Sequence, residues 1–160
     1  MEFRKFAQRR LLCYFIPNVF FNTCVPYFTF KNMNAVYLFQ GELCFARLLL
    51  PMAFFLPFII TLDLLKKTVA LSEKGRLSFE LPEGLGTNKF LFRKAGVNGV
   101  VTLTIAGLTT LFVQVCVPNG YSFDGTVLSV ALGLIAAVIT LIFTFLALQL
   151  VIPKDSPLAV

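Results

Sequence analysis

The chain contains no histidine, which removes the commonest general base and the commonest metal ligand. A Ser/His/Asp or Cys/His pair is therefore excluded, and no G-x-x-x-x-G-K-[ST] phosphate loop is present. The groups left that can do chemistry are Asp63, Glu42, Arg47 and four cysteines. None is spaced as an acid/base pair, so no catalytic residue, metal ligand or cofactor is assigned. Cys13, Cys24, Cys44 and Cys116 lie in or beside apolar segments without a C-x-x-C pair. They read as reduced, buried cysteines that pack as small hydrophobes. Cys24, Cys44 and Cys116 fall toward one side, so a disulfide among them stays open at this stage.

Polar residues inside apolar runs are the next candidates. Tyr14, Asn18, Asn22 and Thr29 share one helical face. They serve either as glue between helices or as the lining of a substrate path. Arg47 lies about one turn inside an apolar run, where a cation is costly unless it snorkels outward or finds a partner. It reads either as an outer anchor or as a bundle-facing cation held by Asn22 or by carbonyls freed near Pro26. Glu42, though close in sequence, points elsewhere. With Thr102 and Gln114, the substrate-path candidates are Asn18, Asn22, Arg47, Thr102 and Gln114. Asp63 has Lys66 and Lys67 at i+3 and i+4 and reads either as an interfacial salt bridge or as a proton-carrying site.

These residues sit in a chain that is 58% hydrophobic and 14% charged, with mean hydropathy +0.83. Soluble domains carry roughly 25% charged residues. A soluble enzyme, a disordered chain and a free nucleic-acid-binding domain are excluded, and no nucleic-acid partner is expected. Four apolar runs, at 11–30, 43–65, 99–117 and 126–152, reach the length of about 20 residues that a membrane-spanning helix needs. Of 14 cations, 12 lie before the first run, between the second and third, or after the last. The net charge of +6 thus reads as topology rather than as a partner signal. The expected fold is an all-α integral membrane four-helix bundle. It forms one domain over 1–160 with two tandem transmembrane hairpins, about 5–67 and about 98–153. Both termini and the loop at about 68–97 are expected on the cytoplasmic side.

Within that frame, Pro17 and Pro26 should kink or end the first helix, and Pro51 and Pro57 should break the second into pieces. The basic loop, with its Lys89-Phe90-Leu91-Phe92-Arg93-Lys94 segment, reads either as solvated or as lying on anionic inner-leaflet lipids. Leu77, Phe79 and Leu81 alternate with polar residues as in a short extended piece. Ser129, Gly133, Ala136 and Thr140, continued by Thr144, form a small-residue stripe for a helix–helix contact within the chain or between chains. Lys5-Phe6 with Arg9-Arg10, and Lys89-Phe90 with Arg93-Lys94, open the two halves at equal spacing. Cys24-Val25-Pro26 is echoed by Cys116-Val117-Pro118. The echo implies a parallel repeat of two hairpins.

Asn18-Val-Phe-Phe-Asn22, Pro26-Tyr27, Val36-Tyr37-Leu38-Phe39 and Leu56-Pro57-Phe58-Ile59-Ile60-Thr61-Leu62 with Lys66-Lys67 resemble a group of small uncharacterised bacterial membrane proteins. Pro118-Asn119-Gly120-Tyr121-Ser122-Phe123, followed by a long helix ending Val151-Ile152-Pro153-Lys154, is similar to a permease-like two-helix domain. The resemblance implies a bacterial inner-membrane setting and carries over no site residues. The chain departs from it in lacking Trp. The expected function is a non-enzymatic bundle or complex subunit, self-associated or in a membrane complex. The alternative is a small transporter or channel component with a polar cleft around Asn22 and Arg47.

Overall fold

A computed structural model describes residues 3–33, 35–75, 87–118 and 120–151, without the side chains of residues 3 and 4. The described residues form four helices: α1 (Phe3–Phe30), α2 (Phe45–Glu73), α3 (Asn88–Cys116) and α4 (Gly125–Gln149). All four are long and apolar enough to cross a membrane. The Leu77, Phe79 and Leu81 segment lies outside the described residues.

Three helices run past the apolar limits read from sequence. The first begins at residue 3 rather than 11, the second ends at 73 rather than 65, and the third begins at 88 rather than 99. The hydropathy boundary marks where lipid-compatible residues stop; helix propensity continues through Lys, Arg, Glu and Ala. The Lys89–Lys94 segment is therefore the first two turns of α3, not loop. Pro17 and Pro26 lie inside α1, and Pro51 and Pro57 inside α2, without ending either helix. This corrects the expectation of a segmented second helix. A proline removes one donor, but the turns on either side keep their own bonds, and neighbouring helices support the axis.

The helices joined by the two short connections, α1 with α2 and α3 with α4, do not form the main contacts. The strong pairs are α1 with α4 and α2 with α3; α2 and α4 form the central contact, and α1 barely touches α2. The helices of each expected hairpin thus pack mainly on others, and the order across the bundle is α1, α4, α2, α3. Opposed residues define the register. Phe30 meets Gly125, Thr23 meets Gly133 and Asn18 meets Thr140, so α1 and α4 are antiparallel. Leu50 meets Gly107 and Phe58 meets Phe92, so α2 and α3 are antiparallel as well.

The connections at one end are tied together. Val36 and Phe123 exchange backbone hydrogen bonds of 3.2 and 2.8 Å. Phe45 N–H donates to the Tyr37 carbonyl and Ala46 N–H to that of Leu38. These bonds seat Val36 and Leu38 over a core of Phe45, Leu49, Met52, Leu128, Leu132 and Ala136. Asp124 caps α4 by accepting from the backbone N–H groups of Thr126 and Val127. Those two donors hold its carboxyl below the usual carboxylate range. At the other end Phe6, Leu64, Ala147 and Leu148 cluster, and Leu65, Leu91 and Val151 form a third group. That end gathers Lys5, Arg9 and Arg10 of α1, Lys66, Lys67 and Lys74 near the end of α2, and Lys89, Arg93 and Lys94 of α3.

The small-residue stripe of α4 faces α1 of the same chain. Ser129, Gly133, Ala136, Thr140 and Thr144 are all buried. A Cβ on Gly133 would overlap Thr23 Oγ1. The prediction is that Gly133→Leu destabilises the bundle by about 1–3 kcal/mol through overpacking, read by thermal unfolding in detergent. Thr23→Ala together with Gly133→Ala should recover most of what Gly133→Ala alone loses. Equal unfolding temperatures for the single and double variants would contradict the contact.

Candidate functional site

Polar side chains gather along the seam where α1 meets α4 and, near the basic end, α2. Successive α1 residues four apart rise by about 6 Å on the same face. Asn18 Nδ2 donates to Thr140 Oγ1 at 3.3 Å, the cross-helix bond at mid-seam. One turn away, Asn22 Nδ2 donates to the Asn18 backbone carbonyl at 2.8 Å. One turn toward the basic end, Tyr14 Oη donates to Asp63 Oδ2 of α2 at 2.5 Å. Lys67 Nζ donates to the same oxygen at 2.6 Å and lies 5.8 Å from the Tyr14 ring centroid. Arg10, one further turn along α1, adds positive potential at the carboxylate. Asp63 is therefore a charge-paired acceptor shared by two helices, which lowers its cost near hydrocarbon.

The α4 side of the seam holds an anomaly. Thr144 Oγ1 is buried and has no hydrogen-bond partner among the described residues. Thr23, Thr29, Thr68, Thr102, Thr104 and Thr110 all donate to the carbonyl four residues earlier. Thr144 has no such bond, and it stands one turn from Thr140 on the face that meets α1.

On the α2–α3 side Asn98 Nδ2 donates to Thr61 Oγ1 at 3.0 Å. Gly99 stands beside it because a Cβ there would lie 3.0 Å from the Phe54 carbonyl oxygen. Farther along, α3 and α4 both line a groove of about 420 Å³. Phe45 and Leu49 of α2, Leu38 and Phe123 of the connections, and Thr102, Ile105, Ala106 and Val113 of α3 line it. Its walls are almost wholly apolar. The Thr102 and Thr110 hydroxyls that line it are spent on their own helix.

The five substrate-path candidates do not converge. Asn18 and Asn22 belong to the α1–α4 seam, whereas Thr102 lines the α3–α4 groove. Gln114 is half-buried near the end of α3. Arg47 is exposed, and its guanidinium donates to the backbone carbonyl of Glu42. It is held neither by Asn22 nor by a carbonyl near Pro26; the segment preceding α2 folds back within its reach. Lys67, not Lys66, pairs with Asp63, while Lys66 lies 4.9 Å from the Phe92 ring centroid. The four cysteines are free thiols, and only Cys44 is buried. No cluster of metal ligands occurs among the described residues.

The Tyr14–Asp63 and Asn98–Thr61 contacts are absent from the sequence reading. Tyr14 was on the polar face of α1, but its partner depends on the α1–α2 register, for which local spacing holds no signal. No protein-family model, curated protein or solved structure matches the chain.

The Tyr14–Asp63 bond is expected to couple α1 to α2. In a double-mutant cycle of Tyr14→Phe and Asp63→Asn, unfolding in detergent should give a coupling of about 0.6–2 kcal/mol, the range for hydrogen bonds between membrane helices. Strict additivity would remove the bond from the account of the bundle.

Proposed function

We propose that the chain is a non-enzymatic integral membrane protein whose four-helix bundle serves as a subunit of a larger membrane assembly, in self-association or with another membrane protein. Unequal burial carries this reading. Helices α2 and α4 each bury much of their surface, whereas α1 and α3 each pack strongly on one neighbour only. The exposed flank of α3 includes Val101, Ile105, Leu108 and Phe112. In hydrocarbon such a flank is stable against lipid and equally ready to pack against another helix. Gathering cations at one end supports placing both termini on the cytoplasmic side of a bacterial inner membrane.

The test uses Cys116, exposed at the end of α3. Bismaleimide cross-linking in native membranes should give adducts above the 17.8 kDa monomer, and Cys116→Ala should abolish those formed through this flank. An uncross-linked chain that also runs as a monomer in mild detergent would refute the subunit reading.

The polar seam favours a second reading, a small transporter or channel component. Asp63, Tyr14, Thr144, Thr140, Asn18 and Asn22 place polar groups from the basic end to mid-span. In this reading the path follows the seam, so Asn18→Leu should abolish solute flux in liposomes while Arg47→Ala leaves it intact. Flux that survives Asn18→Leu would reject the seam as a path.

A further inference from the structure

We propose that Lys66 of α2 and Lys89 and Arg93 of α3, grouped around Phe92, form a docking site for the phosphate headgroup of an anionic phospholipid. The proposal rests on the membrane-embedded reading given above. Lys89, Phe92 and Arg93 stand at i, i+3 and i+4 and so share one face of α3. Lys66 reaches the same ring from the neighbouring helix, with Nζ 4.9 Å from its centroid. Cations from two helices thus flank one aromatic side chain that is 48% exposed. Lys66, Lys89 and Arg93 are all exposed, and none forms an ion pair with a carboxylate among the described residues. The nearby Asp63 is already taken by Lys67.

Charge alone suits any phosphate; the aromatic ladder selects a lipid. Phe92 leans on Phe58 at 6.3 Å between centroids. Phe58 stacks on Phe54 at 5.8 Å with 13° between planes. The ladder leads from the cations toward the middle of the apolar span, so a phosphate held at the top has hydrocarbon contact for its chain directly below. A free phosphate would leave that apolar surface unused. A second copy docking by this end would bring its own nine cations against these nine, against only Asp63 and Glu73 among the described carboxylates there. Long-range attraction to an anionic leaflet has the opposite sign and concentrates the lipid at the site.

The full chain is reconstituted in phosphatidylcholine nanodiscs, and phosphatidylglycerol is titrated in, with bound lipid counted by native mass spectrometry. Phosphatidylglycerol should be retained in preference to phosphatidylcholine. Lys66→Gln with Arg93→Gln should weaken that retention by about 25-fold, at about fivefold for each cation near the surface. Lys66→Arg with Arg93→Lys should retain it. Arg9→Gln with Lys74→Gln removes the same charge elsewhere and should leave it nearly unchanged. Circular dichroism should show equal helix content in every variant, and a loss of helix confined to the first pair would overturn the site. Equal losses in the two glutamine pairs would reduce the site to general charge and overturn it. Equally strong binding of inorganic phosphate in detergent would overturn the lipid as occupant. Failure to enter nanodiscs would instead strike the membrane reading itself, so the two failures are distinguishable.

Discussion

The close approach of α1 to α4 is the constraint on which the rest of the bundle depends. The four helices are long and apolar enough to cross a membrane, and between helices in hydrocarbon apolar side chains gain little by leaving lipid, so that association rests on dispersion and on polar bonds. Dispersion falls away steeply with distance, which makes small side chains valuable out of proportion to their size. Gly133 brings α4 against Thr23, Ala136 and Thr140 continue the same face, and all three are buried. Only at that separation does Asn18 Nδ2 reach Thr140 Oγ1. The same approach holds α1 where Tyr14 meets Asp63, since α1 has little other contact with α2.

The pairing of α1 with α4 and of α2 with α3, rather than of α1 with α2 and α3 with α4, follows from how the connections are tied. Residues between α1 and α2, and between α3 and α4, meet in the Val36–Phe123 bridge. Phe123 thereby lines the groove with Leu38, and the Asp124 cap starts α4 directly after it. The cross-tie satisfies backbone groups that a short hairpin turn would otherwise have to satisfy alone. It also permits α4 to enter between α1 and α2. The central pair, α2 with α4, is parallel as a result, with Phe45 and Leu128 in one core cluster and Leu64 and Ala147 in another.

The spans were legible because length and hydropathy are local quantities; each apolar run lies largely within one observed helix. The small-residue face of α4 was legible for the same reason, although whether it met its own chain or another was open until the partner was seen. The helix extensions were missed because hydropathy reports lipid compatibility, and Lys, Arg and Glu are good helix formers that it scores as breaks. The prolines misled because a local rule about one lost hydrogen bond ignores the support of neighbouring helices. Arg47 shows a different limit. Its partner is a backbone carbonyl, which every residue has, so no side-chain spacing announces it. Tyr14 with Asp63, 49 residues apart in sequence, needed a register between two helices, and periodicity within one helix is silent on that.

The adjacent pair Lys66-Lys67 shows how one short motif serves two neighbours. Consecutive helical residues point about 100° apart. With Lys67 drawn toward Asp63 and Tyr14, Lys66 must face another direction, and there it meets Phe92 of α3. The two lysines therefore orient α2 between the two loosely held flanks, α1 on one side and α3 on the other. Both ties lie at the basic end, away from the groove that α3 and α4 both line. The bundle is thus cross-linked by charge and aromatic contact at one end and by backbone bonds between loops at the other. Between those ends, small residues and the Asn18–Thr140 bond hold α1 to α4, and the Asn98–Thr61 bond with Gly99 holds α3 to α2. Each flanking helix is fixed at both ends and at one polar point between, which leaves the rest of its surface apolar and open.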